Sequence, residues 1–302
     1  MRKVECFKIR ICTAKTPFHS IGQNVIKEIL CTHNLCVNEP ITIVADPFLF
    51  VKDDTLFLFY EDKKMYHNGV ISMISTTDLV SWTEPVTVLR ETCHLSYPWV
   101  FLENNEVYMI PETCGLKEIR LYKANDSLTD FKYVKTILKD EFDRENGFSF
   151  SDTSILKKED IYYLMTTVND NGTNVLKLYI SESLDGGYTE HPCSPICIGN
   201  KYGRNAGSLF EYEGKLLREA QDCVERYGDN VHLIEVKTMN KVEYKEQPIR
   251  DFIIPTNTPF YKEGGHQFNL VKFKGKYVIA TDAKEYHYYI LNRILHKLGV
   301  YK

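Results

Sequence analysis

Five segments of this chain repeat one plan: a polar or small entry, an apolar strand, a tight turn, a second apolar strand and a polar exit. They read ADPFLFVKDDTLFLFYED (Ala45 to Asp62), SYPWVFLENNEVYMIPET (Ser96 to Thr113), SDTSILKKEDIYYLMTT (Ser151 to Thr167), NAGSLFEYEGKLLREAQD (Asn205 to Asp222) and GHQFNLVKFKGKYVIATD (Gly265 to Asp282). Their turns, Asp53-Asp54, Asn104-Asn105, Glu159-Asp160, Glu213-Gly214 and Lys274-Gly275, carry residues that suit two-residue hairpin loops. Corresponding positions recur every ~50–60 residues, near the period of propeller blades with long loops. A hairpin cannot bury both faces alone, so five such units predict five sheets stacked on one another.

Three of the units continue into a third strand, a polar turn and an aromatic expected to open a fourth strand. These are ISMISTTDLVSWTEP around Trp82, LYKANDSLTDFKYV around Phe131 and LYISESLDGGYTEHP around Tyr188. The sequence therefore predicts an all-β fold, a five-bladed β-propeller with about four antiparallel strands per blade. One domain spans 1–302, with blades starting near 45, 96, 151, 205 and 265. Cys6 to Thr13 is expected to pair with the last blade and close the ring. A helix over Tyr286 to Leu298, with apolar Ile290, Leu291, Ile294, Leu295 and Leu298, reads as a terminal cap within 286–302.

In an antiparallel hairpin the start of one strand and the end of the next share an edge. Equal repeat phase then gives an inner ring at one channel mouth: Asp46, Tyr97, Asp152, Ala206 and His266. A second ring holds Glu61, Asp62, Glu112, Thr166, Thr167, Gln221, Asp222 and Asp282, with Trp99, Arg204 and Arg218 nearby. Carboxylates bracketing sugar hydroxyls, with aromatic faces beneath the ring, bind neutral glycans, and the same carboxylates can serve as general acid and base. Each residue also has a plainer reading. Asp46 before Pro47 suits a turn, Asp152 can bond local amides, Glu112 can be a surface carboxylate, His266 a structural histidine, and Arg218 and Asp222 a pair. Their coincidence at equivalent repeat positions makes the case for a site.

The chain carries 37 Lys and Arg against 41 Asp and Glu, a net charge of −4, with no basic run to track a phosphate backbone. Nucleic acid is not expected as a partner. No stretch reaches the ~20 apolar residues of a spanning helix, and Met1 to Phe18 lacks the apolar core of a signal peptide, so a cytoplasmic location is expected. Nine cysteines without paired CxxC units indicate neither a disulfide framework nor structural zinc, and Pro192 and Pro195 make the Cys193–Cys197 segment a loop. There is no GxGxxG after a strand and no P-loop, so no cofactor and no metal is assigned.

ADPFLF, FYED, an S-x-x-D-L-x-x-W unit and SDTSI resemble the furanosidase-like propellers of glycoside hydrolase families 43 and 32. HLSYPWVF with YMIPET, then HP-x-x-P, R-x-A-G, YG and GGHQFN, more closely resemble the N-terminal propeller of plant glucosamine inositolphosphorylceramide transferase and its bacterial homologues, over about residues 40 to 285. The hydrolase resemblance implies Asp46 as base or nucleophile and Asp152 as the residue that orients it. The acid is either Glu112, by repeat position, or Glu219, inside LLREAQD on blade four, where the hydrolases keep theirs. Two functions stand side by side: a glycosidase or transglycosidase using Asp46, Glu112 and Asp152, and a non-catalytic module that presents a sugar, or binds a glycan-biosynthesis enzyme, in polysaccharide or glycolipid assembly.

Overall fold

The computed structural model describes residues 3–19, 21–32, 39–140 and 147–299. Within them five antiparallel sheets stand around an axis. Blade one is Ile41–Lys52, Thr55–Lys64, Val70–Thr76 and Val86–Leu89, from the axis outward. Blade two is Ser96–Glu103, Glu106–Glu112, Glu118–Ala124 and Phe131–Lys139. Blade three begins with Gly147–Lys158, Ile161–Asp170 and Thr173–Ser181, and blade four is Phe210–Tyr212, Lys215–Asp222, Asn230–Met239 and Tyr244–Arg250.

Blade five joins the two ends of the sequence. Its inner strands are Phe268–Phe273 and Lys276–His287, and its outer strands are Val4–Ala14 and Val25–Ile29. The pairing of Val4–Ala14 with Lys276–His287 runs unbroken from Val4 opposite His287 to Ala14 opposite Tyr277. The expected ring closure is therefore present and longer than its sequence signal.

Apolar runs such as LFLFY lack strict alternation because both faces of a blade are covered. Ile9, Ile11 and Val278 of blade five meet Leu49, Leu58 and Ile74 of blade one in one core cluster. Four further clusters fill the other blade-to-blade contacts. The hairpin turns fall where the sequence sets them. In Asp53-Asp54, Asn104-Asn105, Glu213-Gly214 and Lys274-Gly275 both residues have positive φ, the geometry whose twist matches the flanking strands.

Three expectations change. Trp82 does not open a strand: it lies in the connection before Pro85, half-buried against the first cluster, and the outer strand starts at Val86. Blade three has no single fourth strand, but two short pieces, Thr189–Glu190 and Cys197–Ile198, both pairing with Thr173–Ser181. Pro192 and Pro195, which have no N–H to give a ladder, separate them. The helix is Ile290–Lys297, since Tyr286 and His287 still belong to the strand. Ile290, Leu291, Ile294 and Leu298 are exposed, so it does not cap the barrel with its apolar residues; buried Tyr289 and Asn292 hold it down. Residues 300–302 of the expected cap lie outside the described residues.

Candidate functional site

The inner strands of blades one, two and three share an irregularity at one repeat phase. Pairing slips between Ala45 and Phe48, between Ser96 and Trp99, and between Ser151 and Ser154. Each slip holds a residue of positive φ: Asp46 at 50°, Tyr97 at 46° and Asp152 at 53°. A bulge bends its strand and re-aims one side chain. Asp tolerates this left-handed backbone better than most residues, whereas Tyr97 adopts it at a cost of order 1–3 kcal/mol.

The re-aimed groups form one network across the axis. Asp46 accepts the Tyr97 N–H at Oδ2, 3.0 Å, and gives its own N–H to Asp282 Oδ2 at 3.3 Å. Asp282 Oδ1 also accepts the N–H groups of His266, at 2.8 Å, and Gln267, at 3.1 Å. The His266 ring lies between two carboxylates, with Nδ1 2.6 Å from Asp282 Oδ2 and Nε2 3.6 Å from Asp46 Oδ1. On the opposite side Arg204 Nε donates to Asp152 Oδ2 at 2.6 Å, and Gln221 Nε2 reaches the same oxygen at 3.4 Å. Glu112 Oε2 accepts the Asp152 N–H at 3.1 Å and the Ser151 hydroxyl. Glu61 faces His94 Nε2 at 3.2 Å.

Burial shapes the charges. Loss of solvent holds Asp46 well above the usual carboxylate range, with Glu61, Asp282 and Asp152 adding to it and His266 opposing. Burial likewise pushes Asp152 up to about 6 against the Arg204 guanidinium, with Glu112 adding to the rise. For His266 burial disfavours the cation, but the Asp282 carboxylate outweighs it and raises the imidazole to about 9. Asp46, His266 and Asp282 each offer one donor atom within 4.8 Å of the others. A protonated imidazole supplies the positive charge at that point itself, so the trio reads as an ion-paired triad more than as a cation cage.

The phenol of Tyr97 crosses from blade two to blade four, where it bonds the carbonyl of Gly207 and accepts the Gly207 N–H at 2.9 Å. Tyr97 thereby bridges the axis at this level. Glu219 is buried in blade four with neither carboxyl oxygen bonded among the described residues, and burial raises its carboxyl well above the usual range.

The structure brings together Asp46, Tyr97, Asp152, Ala206, His266, Asp282, Glu112, Arg204 and Gln221, with Glu61 beside Asp46. Four other residues expected at the site lie elsewhere. Trp99 packs against Phe48 and Phe101 and donates its Nε1–H to the Ile155 carbonyl at 3.2 Å, so its face belongs to the core between blades. Arg218 reaches across its blade to Glu246 through two 2.6 Å bonds. Asp222 bonds His232 at 3.1 Å rather than Arg218. Asp62 turns to Ser72 at 2.9 Å, on the other face of the strand from Glu61.

Several neighbours escape the repeat argument. The Arg204 guanidinium lies 4.8 Å from the Tyr227 ring centre and 5.0 Å from that of Phe148. The His266 ring stacks on Phe7 at 4.6 Å and meets Tyr227 edge-on at 5.1 Å. Phe7, Phe148 and Tyr227 stand outside the five hairpins, and the YG pair was the one available signal. Gly228 has φ +59°, and a Cβ there would lie 2.7 Å from His266 Cβ, so glycine is what lets the loop bring Tyr227 over the imidazole.

Residues 14–272 match the family model described as glucosamine inositolphosphorylceramide transferase 1, N-terminal. The transferase of that name from Oryza sativa subsp. japonica is 37% identical over 220 residues, covering 70% of this chain and 28% of the relative. The Arabidopsis thaliana protein is 32% identical over 241 residues, covering 77% and 30%. The chain thus spans under a third of the length of these curated relatives. Among solved structures, an α-L-arabinofuranosidase from Podospora anserina superposes with TM-score 0.60 at 10% identity, covering 79% of this chain and 90% of that one. A Clostridium thermocellum α-L-arabinofuranosidase gives 0.57 at 17%, covering 78% and 80%, and a family 117 glycoside hydrolase of Zobellia galactanivorans 0.55 at 12%, covering 80% and 84%. At such identities the likeness is one of fold.

Proposed function

The chain belongs to the family of glucosamine inositolphosphorylceramide transferase 1 N-terminal regions, and from that membership we propose that its axial site binds a carbohydrate in glycan or glycolipid assembly. The observation that carries this reading is the cluster itself: Asp46, Asp152, Asp282, Glu112 and Glu61 converge around Arg204 and His266 at the axis. Carboxyls outnumber cations, which suits hydroxyl donors and the ammonium of an amino sugar and disfavours phosphate or uronate groups. Tyr227, exposed beside Arg204, offers an aromatic surface for a sugar ring.

A second reading, glycoside cleavage, is favoured by one observation. Asp46 and Asp152 are both raised above the usual carboxylate range by burial, within one network that also holds a cation, and a carboxyl kept protonated by burial is suited to act as a general acid. Against it, Glu112 is engaged by the Ser151 hydroxyl and the Asp152 N–H, which leaves it poorly placed to deliver a proton.

Calorimetry after a glycan and glycolipid-headgroup array, with a product assay on every hit, tests both. Binding of amino or neutral sugars without turnover, weakened at least ~10-fold by Arg204→Ala, is the expected result. Turnover that Asp46→Asn reduces by ~10²–10⁴ while affinity persists establishes the second reading instead. Neither binding nor turnover overturns both and leaves a protein-partner role.

A further inference from the structure

The seam where the chain ends meet collects side chains of another chemical kind. Cys6 stands directly opposite Glu285 in the closing ladder, and His287 follows two residues on, on the same face. Cys31, just beyond Val25–Ile29, approaches from the outer edge. Cys31, Glu285 and His287 each present one donor atom, all within 4.8 Å of one another. Glu285 Oε1 is the common point, 2.7 Å from Cys31 Sγ and 3.0 Å from His287 Nε2.

The surroundings hold this group in register. Lys8 takes the other oxygen of Glu285 at 2.6 Å, which turns Oε1 toward the thiol and the imidazole. Cys6 packs with Cys31 in one small buried cluster and lies 3.6 Å from the Tyr289 hydroxyl. That hydroxyl reaches the Thr32 carbonyl at 2.8 Å and so ties the Cys31 segment to the start of the helix. Both thiols are buried, whereas the Glu285 and His287 side chains remain 15% and 28% exposed, which leaves a path inward.

We propose that Cys31, Glu285 and His287 bind one divalent transition-metal ion of the zinc class, with the neighbouring Cys6 thiol turning in as the fourth ligand and clipping the first strand to the last. Thiolate sulfur, imidazole nitrogen and carboxylate oxygen are each donors that four-coordinate zinc accepts. Magnesium and calcium prefer shells of oxygen, and thiolates select softer ions. Two thiolates and a carboxylate around a dication leave one negative charge, which Lys8 offsets, as a supporting outer group does in such sites. The four residues come from three separate stretches, so no motif spacing announces them. The inference is independent of what the axial site binds.

The full-length chain, stripped with chelator and reloaded with zinc or cobalt(II), provides the test. One equivalent per chain is expected, with thiolate-to-cobalt charge-transfer absorption and a rise in Tm on loading. Cys31→Ser and His287→Gln are each expected to weaken binding at least ~10-fold, and the partly exposed His287 serves if the cysteine variant fails to fold. His67→Gln, at an exposed histidine, leaves binding unchanged. Zinc well below one equivalent, cobalt absorption without a thiolate band, binding retained in His287→Gln, or a Cys6–Cys31 disulfide in protein isolated without reductant overturns the proposal.

Discussion

At the scale of single residues, the axial cluster is decided by how few buried charges it leaves unpaired. His266 sits between Asp282 and Asp46 and is 3% exposed. His266→Gln leaves two carboxylates facing each other, and loss of one partner of a buried pair costs about 3–5 kcal/mol. The pH dependence has a definite sign. The imidazole is raised in the folded chain from 6.5 to about 9, so its stabilising contribution is complete below pH ~6.5 and is lost as pH rises through ~9. Asp152, raised from 3.8 to about 6, works in the same direction at lower pH: the folded chain holds the extra proton, and stability falls as pH passes ~6. Urea unfolding at pH 6 and pH 9.5 is expected to show the wild type losing more stability than His266→Gln between the two. Equal slopes would remove His266 from this account.

At the scale of elements, the hairpin turns and the bulges do different work. The turns use positive φ to match strand twist, and at Gly275 nothing lies within 4 Å of where a Cβ would be. Gly275→Ala therefore meets only the backbone cost of the left-handed region at φ +74°, about 1–2 kcal/mol, with the sheet otherwise unchanged. A shift in urea midpoint without a change in slope is the expected readout, and no shift would mean the turn relaxes to another form. The bulges at Asp46, Tyr97 and Asp152 instead spend positive φ on aiming side chains at the axis. They occur in blades one to three; His266 and Ala206, at the same phase in blades five and four, reach the axis without it.

At the scale of the whole molecule, the ring holds because its last sheet is completed by its first strand. Ile11 is fully buried in the cluster between blades five and one. Ile11→Ala removes contacts on that seam and is expected to cost about 2–5 kcal/mol. Opening of the seam should also bring early proteolytic cuts within Val4–Ala14. If cuts appear first in another blade, the seam is not the weakest joint. No helix among the described residues is long and apolar enough to cross a membrane.

Legible in the sequence alone were the number of blades, the turn of each blade's repeated hairpin and the phase that brings Asp46, Tyr97, Asp152 and His266 together at the axis. These follow from local rules: a period-two strand fixes the face of each residue, turn residues fix the register, and equal phase in a repeat fixes equal radius. Partner choice was decided by the tertiary structure. Arg218 pairs with Glu246, not Asp222, because the two lie across a blade face that forms once Tyr244–Arg250 docks. Trp99 stands two residues past Tyr97, yet it packs into the seam between blades. The gathering of Cys6 and Cys31 with Glu285 and His287 joins positions more than 250 residues apart. Only closure of the ring makes them neighbours, since a local pattern carries no information about which distant strand completes the last sheet.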